Sequence, residues 1–184
     1  MIIPPGISLE EFEGSKKNKD SKIVLAVSRL EEYKGIQYII MALSKLSNDI
    51  ILEVVGKGPY EKSLLKIVRQ LDLQNRVIFF HELTRKELLQ RYSDAAVFVL
   101  LSRHEAFGIS VEEALVSKTP CIVANESALS EWINGESCFG IDYPINIDDL
   151  AELIRRLMNK SIKIIKPATW DNVADKLAVL YNVT

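Results

Sequence analysis

Two short segments carry side chains whose types and spacing suit the binding of a charged, hydroxylated ligand. The first is Ser28-Arg29-Leu30-Glu31-Glu32-Tyr33-Lys34-Gly35. It follows a short apolar run and precedes a helical pattern, so Arg29 and Lys34 sit where a strand ends and a helix begins. Helix N-termini favour anions through their free N–H groups and dipole. An arginine fork and a lysine point charge beside one make a diphosphate site. The second segment is His104-Glu105-Ala106-Phe107-Gly108-Ile109-Ser110-Val111-Glu112-Glu113. Gly108 lets backbone approach a ligand closely, and the amides after it would point at a phosphate. Glu105 and Glu113 flank the start of the same helix and can face one crevice. A carboxylate beside a phosphate is repelled unless it faces something neutral, and vicinal sugar hydroxyls are neutral O–H donors. Glu112 is expected to be an ordinary acid of the first helical turn.

The chain contains no Asp-x-Asp, and no His, Cys and carboxylate spacing typical of a catalytic metal. No cofactor and no metal are therefore expected. A departing diphosphate would rely on Arg29, Lys34 and helix N-termini. His81 and His104 are expected to be bystanders. Cys121 and Cys138 have neither metal-ligand spacing nor the density of a disulfide framework, so a reducing, cytoplasmic setting is the expectation.

The elements that must position these segments alternate in type. Apolar runs at 23–27, 50–55, 77–80, 96–101 and 120–124 read as buried strands. Between them, Ile36, Ile39, Ile40 and Leu43 recur at helical spacing, as do Leu64, Leu65, Ile67, Val68 and Leu71. Pro59 suits a first helical turn. Thr84 and Glu87 form a capping-box pattern. Val111, Ala114 and Leu115 line the next helix, and Leu150, Leu153, Ile154 and Leu157 a later one. Val173, Leu177 and Leu180 line the last. This alternation predicts a single α/β domain with a doubly wound, Rossmann-like parallel sheet covered on both faces. Such sheets bind ligands beyond the carboxyl ends of their strands, where strand order reverses. Both loaded segments leave such ends.

Length and composition agree with one domain. The chain has 184 residues, 48% apolar and 26% charged, with a net charge of −2. Its densest basic run, Lys16-Lys17-Asn18-Lys19, is too short for a nucleic-acid or anionic-membrane patch. The longest apolar stretch, residues 95–101, is far short of the roughly 20 residues that span a bilayer. No signal-peptide pattern is visible, and the turn-like Pro4-Pro5-Gly6 start reads as the edge of a cut domain.

The order and content of these motifs resemble the C-terminal domain of the family 4 glycosyltransferases, the retaining group with the two-domain GT-B fold. The resemblance runs almost end to end, over 1–184. Ile3-Pro4-Pro5-Gly6-Ile7 through Phe12 is similar to the family's interdomain linker, usually I-P-N-G-[VI]-D followed by F, with Pro5 and Ser8 departing from it. Val27-Ser28-Arg29-Leu30 through Lys34-Gly35 resembles V-G-R-L-x3-K-G, with Ser28 where Gly is usual, and Val55-Gly56-Lys57-Gly58-Pro59 resembles V-G-x-G-P. Tyr92-Ser93-Asp94-Ala95-Ala96 is similar to Y-x-x-A-D. The segment from Glu105 to Glu113 resembles E-x-F-G-[IL]-x-x-x-E, followed by Lys118-Thr119-Pro120. Trp170 through Tyr181 resembles the closing helix that crosses back toward the first domain.

The resemblance implies a nucleoside diphosphate sugar as donor and a role for each matching residue. Arg29 and Lys34 would neutralise the diphosphate, and Glu105 would contact the donor sugar near the reacting centre. The amides of Phe107, Gly108 and Ile109 would hold the sugar or the distal phosphate. Glu113 would take the ribose hydroxyls, and Gly56 with residues 80–83, Leu83 among them, would lie near the base. It also implies a partner: an N-terminal, acceptor-binding domain of the same enzyme, through which peripheral membrane association could arise. A free-standing nucleotide-sugar-binding module is the alternative. A signalling receiver domain shares the fold class but needs an acidic pair where Ser28-Arg29 stand.

Overall fold

The structure, a computed structural model, describes residues 6–12, 20–158, 160–162 and 169–181. The Ile3-Pro4-Pro5 start of the linker motif, the Lys16-Lys17-Asn18-Lys19 run and the Leu180 side chain lie outside the described set.

Six described strands form one parallel sheet: β1 (Ile23–Val27), β2 (Ile51–Val55), β3 (Val77–Phe80), β4 (Val97–Leu100), β5 (Cys121–Ala124) and β6 (Cys138–Ile141). Their order is β3-β2-β1-β4-β5-β6, so the winding reverses between β1 and β4. The helices are α1 (Ile36–Leu43), α2 (Glu61–Gln70), α3 (Arg85–Asp94), α4 (Ile109–Val116), α5 (Ile147–Leu157) and α6 (Trp170–Leu180). Two apolar clusters separate the faces. One joins α1, α2 and α5 to the sheet through Ile36, Ile40, Leu64 and Ile154, and the other joins α3 and α4 through Tyr92, Val111 and Leu115. Burial on both faces explains the continuous apolar strands, with β4 wholly buried.

The five expected strands are present: β1 and β3 have the expected bounds, β2 and β5 start one residue later, and β4 is one residue shorter at each end. β6 was not expected. Its Cys-Phe-Gly-Ile sequence lies at the sheet edge, with only Cys138 buried, and Gly140 breaks the apolar run. A Cβ there would stand 2.5 Å from Ile133 Cδ1, so that side chain would have to shift. The 3₁₀ turn Ser127–Trp132 was likewise unannounced. The helix expected to begin with Pro59 in its first turn begins at Glu61, because Tyr60 N–H is held by Leu30 O at 3.0 Å in the preceding turn. The capping box at Thr84 and Glu87 is formed in both directions.

Candidate functional site

The strand reversal sets the loops after β1 and β4 side by side. Their backbones are joined directly: Arg103 N–H donates to Tyr33 O at 3.0 Å. The β1 loop turns through a 3₁₀ segment, Glu32–Lys34, that ends at Gly35 with φ 74°. A Cβ on Gly35 would meet Leu101 O at 2.5 Å, so glycine is what lets this turn lie against the β4 exit. The β4 loop runs into α4 through Gly108, whose φ is 92°. Trp132 Nε1–H anchors the turn by donating to Phe107 O at 2.7 Å. Val111 and Glu112 N–H donate to Gly108 O at 2.8 and 3.2 Å, and the Ile109 and Ser110 amides come before any carbonyl of the helix that could accept from them.

Between the two loops lies a cleft of about 270 Å³. Val27, Ser28 and Lys34 form one wall and residues 105–110 the other. At its centre Lys34 Nζ donates to Glu105 Oε1 at 2.5 Å, with side-chain exposures of 10% and 20%. Lys34 Nζ also lies 5.0 Å from the Tyr33 ring centre. A mostly buried ion pair is stable only where its geometry is good, and an ammonium with three donors retains capacity for a second anion. Glu105 is itself placed by its N–H, which donates to Ser127 Oγ at 3.2 Å. The cleft therefore combines a held cation, a carboxylate and a helix N-terminus, a set able to take a phosphate and a neutral polyol together.

The structure brings Lys34, Glu105, Phe107, Gly108 and Ile109 to this cleft. Arg29 does not line it: its side chain is 75% exposed and its guanidinium pairs with Glu31 at 3.1 Å. Gly56, with φ 147°, lies against the β1 loop, where a Cβ would stand 1.9 Å from Ser28 O. Leu83 is half-buried, packed on the α3–α4 cluster. Glu113 lies in α4, its side chain 10% exposed, and accepts from Arg85 Nη1. Glu112 differs from expectation. It is only 3% exposed, and burial followed by the charge of Glu113 raises its carboxyl to about 7. Ile109 at the start of α4 is 54% exposed, but Val111 and Glu112 turn inward, so this acid is no solvated dipole partner. His81 pairs with Glu61 at 2.8 Å and does not line the cleft. His104 lies across the Tyr33 turn, in a second cleft of about 370 Å³ bounded by Tyr38, Arg103 and Tyr143.

Arg85 is the contact the motifs did not announce. The sequence carried one signal: a cation at the first position of a capped helix opposes the helix dipole and needs an anion to offset it. That anion is Glu113, with Glu11 on the other side at 2.9 Å.

Among the described residues no group of three His, Cys, Asp or Glu side chains is arranged to hold a metal, and no helix is long and apolar enough to cross a membrane.

Comparison with known proteins agrees with this geometry. The chain is 29% identical over 177 residues to an uncharacterised glycosyltransferase of Methanocaldococcus jannaschii, covering 89% of this chain and 45% of the relative. It is 29% identical over 159 residues to the alpha-monoglucosyldiacylglycerol synthase of Streptococcus pneumoniae, covering 77% and 36%. The chain spans half or less of the length of these relatives. Among solved structures, Anabaena HepE in complex with UDP and glucose superposes with a TM-score of 0.85 at 18% identity, covering all of this chain and 57% of that one. A glycosyltransferase from Rickettsia africae gives 0.84 at 21%, covering 99% and 56%. The architecture is thus that of a GT-B glycosyltransferase domain. The family description Glycosyl transferases group 1 matches residues 8–177, and the chain belongs to that family.

Proposed function

We propose that this chain is the C-terminal, donor-binding domain of a family 4 retaining glycosyltransferase, and that it takes a nucleoside diphosphate sugar in the cleft between the β1 and β4 exits. The observation that carries this reading is the Lys34–Glu105 pair, held at the strand reversal beside the N-terminus of α4. Lys34 and the first amides of α4 receive the diphosphate, and Glu105 accepts hydroxyls of the donor sugar. Glu113 takes the ribose. Arg29, on a mobile-length side chain at the same strand exit, swings from Glu31 to the phosphates when they arrive. The UDP and glucose named with the HepE structure support the ligand class.

During transfer the bond from the anomeric carbon to the diphosphate breaks, with its electron pair going to the phosphate oxygen, while the acceptor hydroxyl oxygen bonds to the anomeric carbon and its proton passes to the departing diphosphate. Lys34 and the α4 dipole stabilise the leaving charge without a metal. The acceptor oxygen must be held about 3–3.5 Å from the anomeric carbon, and a second domain supplies the wall that does so. The working enzyme acts in the cytoplasm. Calorimetric titration of this chain with UDP, GDP and ADP, with and without chelator, tests the reading. Binding of one or more nucleotides is expected, undiminished by chelator, together with no sustained release of nucleoside diphosphate from a bound donor given an acceptor panel. Absence of all binding refutes the donor site, and loss of binding with chelator refutes the metal-free claim. Sustained turnover by this chain alone refutes the need for a second domain.

A further inference from the structure

Glu113 is already engaged before any ligand is considered. Its Oε1 accepts from Arg85 Nη1, and only 10% of its side chain is exposed. Arg85 is the first residue of α3, and the Thr84–Glu87 capping box fixes the backbone it hangs from. The same guanidinium donates from Nε to Glu11 Oε2 at 2.9 Å and lies 5.8 Å from the Phe12 ring centre. Glu11 and Phe12 belong to the 3₁₀ turn Leu9–Phe12 that leads into the domain. One cation therefore joins the lead-in segment, α3 and α4.

We propose that Arg85 is the positioning residue of the ribose site: it orients the Glu113 carboxylate, and through Glu11 it ties that orientation to the lead-in segment. The inference rests on the donor-binding reading above and goes beyond it, since no matched motif includes Arg85.

The physical argument concerns the plane of the carboxylate. The last torsion of a glutamate is broad and roughly two-fold, so an unpartnered carboxylate does not hold a fixed plane. Two vicinal hydroxyls demand one. A carboxylate has about four acceptor positions; Arg85 takes one at Oε1, the buried Tyr92 hydroxyl faces the same carboxylate, and the rest remain for O–H donors. A guanidinium donates in a rigid planar arrangement and so sets direction as well as charge, whereas a lysine ammonium supplies charge alone. Charge matters here too. Glu112 is the adjoining residue and is itself buried, so the guanidinium offsets a local excess of carboxylate. If Arg85 were only a fastener between α3 and α4, its loss would lower stability without touching ribose recognition.

The test is calorimetric titration of the whole chain with UDP, GDP and ADP and with their 2′-deoxy analogues. The proteins are wild type, Arg85→Gln, Arg85→Lys, Glu113→Gln and the double variant Arg85→Gln/Glu113→Gln, each checked for folding by thermal unfolding. Wild type is expected to prefer the ribonucleotide. Arg85→Gln should lose roughly tenfold of that preference, the size of one charge-assisted hydrogen bond, with the 2′-deoxy affinity little changed. The double variant should bind no more weakly than Glu113→Gln, and Arg85→Lys should recover only part of the preference. Should Arg85→Gln fail to fold, Glu11→Gln retains the Arg85–Glu113 contact and is expected to reduce the ribose preference several-fold. Equal weakening of both nucleotides by Arg85→Gln, additive with Glu113→Gln, overturns the proposal. So does tighter ribonucleotide binding, which would make Arg85 a competitor for Glu113, and so does an unchanged preference in Glu11→Gln. A wild type that binds no nucleotide refutes the donor-binding reading and this assignment with it; a wild-type ribose preference that survives Arg85→Gln refutes this assignment alone.

Discussion

Three carboxylates near the β4 exit differ in what faces them. Glu105 has Lys34 at 2.5 Å and Glu113 has Arg85, so both keep a cation beside them. Glu112 has no counter-ion among the described residues, and burial with the neighbouring charge of Glu113 lifts it to about 7. The consequence for stability follows from linkage. The native state binds a proton that the unfolded chain, near its ordinary value of 4.5, has released, so stability present below about 4.5 is lost as pH rises through about 7. Glu53, buried and raised by desolvation despite Arg91, contributes in the same direction. Glu112→Gln is therefore expected to leave stability at pH 5 nearly unchanged and to raise it at pH 8 by roughly 1–3 kcal/mol. Thermal unfolding across that range checks this; a pH dependence identical to wild type would mean that Glu112 is solvated.

At the scale of elements, the site depends on how closely the loops after β1 and β2 pack. Ser28 N–H donates to Val55 O at 3.1 Å and Leu30 N–H to Lys57 O at 2.9 Å. Gly56 and Gly58 face the Ser28 and Leu30 carbonyls at distances no Cβ could share, 1.9 and 2.3 Å. Gly56→Ala forces these loops apart at a backbone angle that also strains alanine, at a cost of about 1–3 kcal/mol. A lower melting temperature and weaker nucleotide binding are expected together, since Lys34 follows on the displaced loop; an unchanged melting temperature would contradict the packing account. The same contrast explains what the sequence made legible. Strands β1, β4 and β5 are unbroken apolar runs under cover on both faces, β2 is interrupted by the buried Glu53, and β3 at the sheet edge leaves Ile78 40% exposed; the apolar runs are still what makes them legible. β6 is half-exposed and its apolar run is broken by Gly140. Lys34 and Glu105 were each readable as site residues because each lies in a loop that leaves a strand exit, but their contact with one another was not. The turn of Arg29 toward Glu31 and the bridge from Arg85 to Glu113 were not, because each depends on a partner that no spacing rule selects.

For the molecule as a whole, one edge of the sheet carries the chemistry and one helix faces outward. Ile7 bridges to Thr169, which brings the lead-in segment to the start of α6. A Cβ on Gly6 would collide with Trp170 N at 2.6 Å. Along α6, Trp170, Leu177 and Val179 remain 55%, 38% and 73% exposed, and Tyr181 just beyond it 70%. In the proposed two-domain enzyme this surface packs against the acceptor-binding half, and Arg85 links the nearby lead-in segment to the ribose carboxylate. The donor cleft is proposed to lie between the β1 and β4 exits. Amide chemical-shift mapping during titration with a nucleoside diphosphate locates it. The largest shifts are expected at Lys34, Gly35, Gly108, Ile109, Ser110 and Glu113, with Gly135 and the α5 amides unmoved. Shifts confined to the Tyr38–Tyr143 cleft, or spread without focus over the surface, would contradict it.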